Sequence, residues 1–111
     1  MRTTLKVFYV LVLVVMTAVT VVASLDRGVV EAVGELWPDP WFRATLADTY
    51  FAFLTIYFWV AYKERSWLAR GLWLVAFLAL GNFAIAAYLL RELFRLRAGD
   101  SFADLLVRRD P

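Results

Sequence analysis

One carboxylate stands apart in this sequence. Asp48 lies inside an apolar stretch about eight residues past Pro40, which is roughly 12 Å along a helix at 1.5 Å per residue. A carboxylate at that depth in hydrocarbon costs on the order of 2–3 kcal/mol, so it is expected to face protein or water. Its neighbours suit that facing. Thr45, Asp48, Thr49, Ala52 and Thr55 follow one another at i, i+3, i+4, i+7 and i+10, a small and polar stripe along one helix face. Thr17, Thr20 and Ser24 make a similar stripe on the first apolar stretch, and Ala79, Asn82 and Ala86 share a face on the third. Counting from segment centres near Val15, Phe51 and Leu80, with adjacent helices antiparallel, sets Asp48 level with Val19 or Thr20 and with Phe83 or Ala84, within about half a turn of Asn82. The candidate site is therefore an intramembrane polar cluster of Asp48, Thr45, Thr49, Thr20 and Asn82. Such a cluster has two readings: a site for a proton or ligand, or a hydrogen-bonded clasp holding thin helices together. Arg43, one turn before Asp48, is expected to reach out to phosphates rather than pair with it.

The residue types that are missing restrict the chemistry further. The chain has no Cys and no His. That removes thiol chemistry, disulfides, His-ligated haem, Cys/His zinc sites and the usual imidazole ligand of a chlorophyll-type pigment. Lys6 and Lys63 both sit at the ends of apolar segments, so a buried Schiff base is not expected. No enzyme activity and no cofactor is read from the sequence. The net charge of +2 is too small to argue for nucleic acid. The dense aromatic run from Tyr50 to Trp59 has two readings as well, a stack for a flat apolar ligand such as a quinone, sterol or carotenoid, or lipid-facing and helix-packing surface.

These residues need elements to hold them. A chain of 111 residues that is 63% hydrophobic has too few polar residues to cover a soluble domain, and its mean hydropathy is +0.68. The fold class expected is an all-α membrane protein, one integral domain over residues 1–111, with three transmembrane helices at about 7–25, 40–62 and 71–97. The first span is free of charge. Its rival reading is a cleaved signal peptide, with Arg2 and Lys6 as a basic leader and Val21-Val22-Ala23 before Ser24 as a cleavage motif, although the apolar run is long for that role. In the second span Asp39 can cap and Pro40 suits the first helical position, while Trp37 and Trp41 at one end and Trp59 and Tyr62 at the other resemble aromatic belts. The third, GLWLVAFLALGNFAIAAYLL, is bracketed by Arg70 and Arg91, and its helical pattern continues to Arg97 and ends near Gly99. A short amphipathic helix is expected in the first loop, with Val29, Val33, Leu36 and Trp37 near one face. The second connection, 63–70, reads as a tight turn. Ser101-Phe102-Ala103-Asp104 reads as a capping box that opens a C-terminal interfacial helix, or else as a frayed end.

Three crossings put the chain's ends on opposite sides, and the charges then conflict. With the N-terminus inside, the cytoplasmic side carries Arg2, Lys6, Lys63, Arg65 and Arg70, whereas the far side carries Arg27, Arg43, Arg91, Arg95, Arg97, Arg108 and Arg109. Counting favours the N-terminus outside. The purely basic leading flank of the first span favours the N-terminus inside, which is the orientation adopted.

The stretch Trp41-Phe42-Arg43-Ala44-Thr45-Leu46-Ala47-Asp48-Thr49-Tyr50, followed by Trp59-Val60-Ala61-Tyr62-Lys63-Glu64 and Ser66-Trp67, resembles an uncharacterised family of short three-helix membrane proteins from bacteria and plants, catalogued as a domain of unknown function. The resemblance covers about residues 38–92. It implies the membrane topology and marks Asp48, Lys63 and Glu64, but carries no mechanism. The expected function is an accessory or scaffold subunit of a larger membrane complex, in a multi-pass setting such as the bacterial inner membrane. Its partners would be the lipid bilayer and other membrane protein subunits, with no nucleic acid. The alternative is a homo-oligomeric transporter or channel with Asp48 lining the path.

Overall fold

A computed structural model of the protein describes residues 2–108, and within them it is helical throughout. Six helices follow in order: α1 (Arg2–Asp26), α2 (Val29–Leu36), α3 (Pro40–Lys63), α4 (Trp67–Leu80), α5 (Asn82–Phe94) and α6 (Phe102–Leu106). The start of α3 forms as its sequence dictates. The Asp39 side chain accepts from the Trp41 backbone N–H at 3.0 Å, and Pro40 occupies the first turn, where a missing donor costs nothing. α2 is the amphipathic helix of the first loop, tied to the end of α1 through Arg27, which pairs with Glu35 and lies 3.8 Å from Asp26.

The third long helix expected over 71–97 does not exist as one piece. Gly81 breaks it with φ +55° and ψ −121°, a conformation that only glycine adopts without strain. A Cβ at Gly81 would lie 2.7 Å from the Phe53 ring, so α3 packs closely against the break. The Leu78 carbonyl at the end of α4 receives a hydrogen bond from the Tyr50 hydroxyl at 3.2 Å. At its other end α5 stops at Phe94 rather than near residue 97. There the chain turns, with the Asp100 carboxylate accepting from the Arg97 N–H at 2.7 Å.

The two pieces fold back on each other. Arg91 Nη1 lies 2.7 Å from Glu64 Oε1, yet a continuous helix would hold these residues roughly 40 Å apart at 1.5 Å per residue. Trp73 and Tyr88, which flank Gly81 by similar distances along the chain, meet edge to face at 4.8 Å. α4 and α5 are thus a helical hairpin with its tip at Gly81, each arm about 20 Å long. α4 packs on α3, and α5 packs on α1. Val60, Phe77, Ala84 and Tyr88 form the small core where these helices meet.

This hairpin corrects the three-crossing topology. Two helices, α1 and α3, are long and apolar enough to cross a membrane, not three. The start of α1 and the chain after α5 lie together, because the Arg2 guanidinium donates to the carbonyls of Arg97 and Asp100. The end of α3, both open ends of the hairpin and α6 gather at this same end, which is termed the charged end below. Asp26 to Asp39, with α2, lies at the opposite end.

Candidate functional site

Two regions carry polar chemistry. The first is the sequence-derived cluster. A crevice of about 750 Å³ lies between α1 and α3 with the start of α5 beside it. Asp48, Thr49 and Asn82 line it, together with apolar residues that include Met16, Ala52 and Ile85. Asn82 reaches this place because it is the first residue after the hairpin tip. Thr20 and Thr45 do not line the crevice; both are exposed. The threonine hydroxyls bond within their own helices rather than between helices: Thr49 donates to the Thr45 carbonyl at 2.8 Å, Thr55 to that of Phe51 at 2.8 Å and Thr17 to that of Leu13 at 2.7 Å.

The stripe on α3 is therefore not an interhelical contact within this chain. Thr45, Asp48, Ala52 and Thr55 are all exposed. α3 instead presents Tyr50, Phe53, Tyr57 and Val60 to α4 and the hairpin tip. Aromatic rings fill that contact, and small residues are left facing the crevice.

The second region lies at the charged end. Lys63 and Glu92 are 7% and 3% exposed, and Lys63 Nζ lies 2.8 Å from Glu92 Oε1. The other oxygen of Glu92 is 3.0 Å from Arg95 Nη1. A buried charge needs both a counter-charge and hydrogen bonds, and Lys63 gains a further acceptor from the Leu105 carbonyl. The Trp59 indole donates to the neighbouring Leu106 carbonyl at 2.9 Å, and Arg108 Nε to that of Tyr62 at 2.6 Å. These bonds dock α6 on the end of α3. Ser101 N–H, in turn, donates to the Asp104 carboxylate at 2.8 Å, which fixes the start of α6. Arg70 closes the turn between α3 and α4, its Nε donating to the carbonyls of Ala61 and Glu64. Among all these groups the buried Tyr88 hydroxyl makes no hydrogen bond.

Sequence reasoning set Lys63 at a helix end and did not join it to Glu92. The resemblance marked Lys63 and Glu64, but their partners lie 29 and 27 residues further on and become neighbours only through the hairpin. Among the described residues no group of three or more metal-ligating side chains gathers.

A family model described as "Protein of unknown function (DUF1475)" matches residues 3–110. The chain belongs to that family. The match extends on both sides of the 38–92 stretch that carried the resemblance, taking in α1 and α6 of this DUF1475 protein. No curated protein matches it, and no solved structure does.

Proposed function

We propose that this DUF1475 protein is an integral membrane protein that crosses the bilayer twice, through α1 and α3, with α4–α5 as a re-entrant helical hairpin. The observation that carries this reading is α1. Its 25 residues have a mean hydropathy of 2.6 in their most apolar window, and none of them is buried in the chain. A helix this apolar with no residue buried belongs in lipid or against other apolar helices, not in water. At 1.5 Å per residue it is about 37 Å long, enough for a hydrocarbon core of ~30 Å.

With two crossings the charge conflict disappears. The charged end carries Arg2, Lys6, Lys63, Arg65, Arg70, Arg91, Arg95, Arg97 and Arg108, against Arg27 and Arg43 at the α2 end. The positive-inside rule then sets the charged end, and both ends of the described chain, in the cytoplasm. Reporter fusions at both termini are expected to report the cytoplasmic side together. Reporters active on opposite sides would refute the hairpin topology.

Within that membrane frame we read the protein as an accessory or scaffold subunit of a larger assembly. The part of α1 beyond the hairpin tip, from Thr17 to Asp26, is exposed at every position and offers surface to another helix. A second reading, a homo-oligomeric transporter with Asp48 on the path, is favoured by the position of Asp48 and Asn82 beside a re-entrant tip. Non-helical backbone at membrane depth is tolerated where protein buries it or where it lines a cavity. Mass measurement of the detergent-extracted particle separates the two. A heterologous complex supports the subunit, and a symmetric homo-oligomer supports the transporter.

A further inference from the structure

We propose that the crevice beside Asp48 binds a single-chain amphiphile carrying a cationic amine. The amine would sit on Asp48 and Asn82, and the alkyl chain would run between α1 and α3 toward Tyr9 and Ile56. The inference rests on the membrane reading above and adds the ligand class of one site within it.

Three observations carry it. The crevice, at about 750 Å³, lies in the size range of small-molecule sites, and its polar lining residues are few: Tyr9, Asp48, Thr49 and Asn82. Among the described residues, Asp48 is the only charged one that lines it, and none of their ion pairs includes Asp48. A ligand cation would supply the counter-charge that this carboxylate lacks within an apolar lining. Apolar space also lies close by: Tyr9 and Ile56 line both this crevice and a second cavity of about 300 Å³, whose lining includes Leu105 and Leu106 of α6.

A partner helix is the weaker occupant. The crevice follows α1 only from Phe8 to Met16, about 12 Å, and holds a carboxylate that an apolar helix would leave unpaired. Charge complementarity and length therefore agree on an amine with a chain.

The test uses the purified full chain in detergent, with dodecylamine, dodecanol, dodecanoate and ethylamine as probes and native mass spectrometry or calorimetry as readout. Dodecylamine is expected to bind about tenfold more tightly than dodecanol, as a charge-assisted contact should. Dodecanoate and ethylamine should bind far more weakly. Asp48→Asn should erase the preference for the amine and leave dodecanol binding intact. Ala52→Phe should exclude both long-chain probes at an unchanged unfolding midpoint, with Val12→Phe taking its place if Ala52→Phe does not fold. Equal affinity for amine and alcohol, a preference that survives Asp48→Asn, or binding of ethylamine as tight as that of dodecylamine would overturn the proposal. So would cross-linking of Ala52→Cys to another chain in membranes, since protein would then fill the crevice. Failure of the amine preference leaves the terminal reporters on one side, whereas reporters on opposite sides remove the fold on which the site depends.

Discussion

Glu92 and Asp48 are carboxylates on apolar helices, and the fold treats them oppositely. Glu92 is buried at the charged end between Lys63 and Arg95, with both of its oxygens engaged. Asp48 stands on an open crevice with no ion pair. The hairpin produces the difference. Its arms bring α5 back to the end of α3, so that residues nearly thirty positions apart neutralise each other, but its tip stops at Gly81 and brings only the neutral Asn82 toward Asp48. Charge is used structurally where the helices are packed, and is left available where they are not.

The largest expected effect breaks the packed half. Glu92→Gln leaves the Lys63 ammonium buried with its counter-charge removed, and should cost about 3–5 kcal/mol of unfolding free energy measured in mixed micelles. The double replacement Lys63→Met with Glu92→Leu should recover most of that loss, because two apolar side chains in the same space need no partner. A single mutant as stable as the parent would show that Glu92 does not hold the charged end, and the contrast with Asp48 would fail.

The next effect bears on the element that separates the two regions. Gly81→Ala forces a side chain onto a backbone at φ +55° and into the Phe53 ring, and should cost about 1–3 kcal/mol for the backbone alone. Phe53→Ala in the same chain relieves the clash but not the strain, so rescue should be partial. Full tolerance of alanine in a thermal-stability series would mean that α4 and α5 can run on as one helix, restoring three crossings.

The sequence made some of this legible and hid the rest for a physical reason. The start of α3 follows from Asp39-Pro40, the helix in the first loop from the spacing of Val29, Val33 and Leu36, and the start of α6 from Ser101 and Asp104. All of these signals are local. The hairpin is not local. A lone glycine within an apolar helix costs only ~1 kcal/mol and is ordinarily tolerated, so GLWLVAFLALGNFAIAAYLL reads as one span. What decides against that is Phe53 packed on Gly81 and Tyr50 bonded to the Leu78 carbonyl, from a helix some thirty residues earlier. One signal was present: the basic residues fit three crossings worse than the two proposed above. The polar cluster divided in the same way. Asp48 and Asn82, matched by depth, both line one crevice, but the rotations of Thr20 and Thr45 depend on contacts that no spacing encodes.

The smallest expected effect sharpens the open half. Asp48→Leu would destroy a clasp, since a hydrogen bond lost to a buried partner costs about 1–2 kcal/mol, whereas Asp48→Asn would preserve one. In the structure Thr49 bonds to its own helix, while Thr20 and Thr45 lie outside the crevice, so Asp48 has no such partner to lose. Both replacements should therefore leave unfolding free energy within about 0.5 kcal/mol of the parent, as at a site free of structural bonds. Leucine should in fact lie on the favourable side, because it removes a charge from an apolar wall. Stability thus separates the roles of the two carboxylates without any knowledge of the ligand. If Asp48→Leu costs as much as 1.5 kcal/mol while Asp48→Asn costs nothing, Asp48 is bonded after all and belongs with Glu92 among the structural charges. If both are neutral, Asp48 contributes nothing to the fold, as the proposed amine site requires.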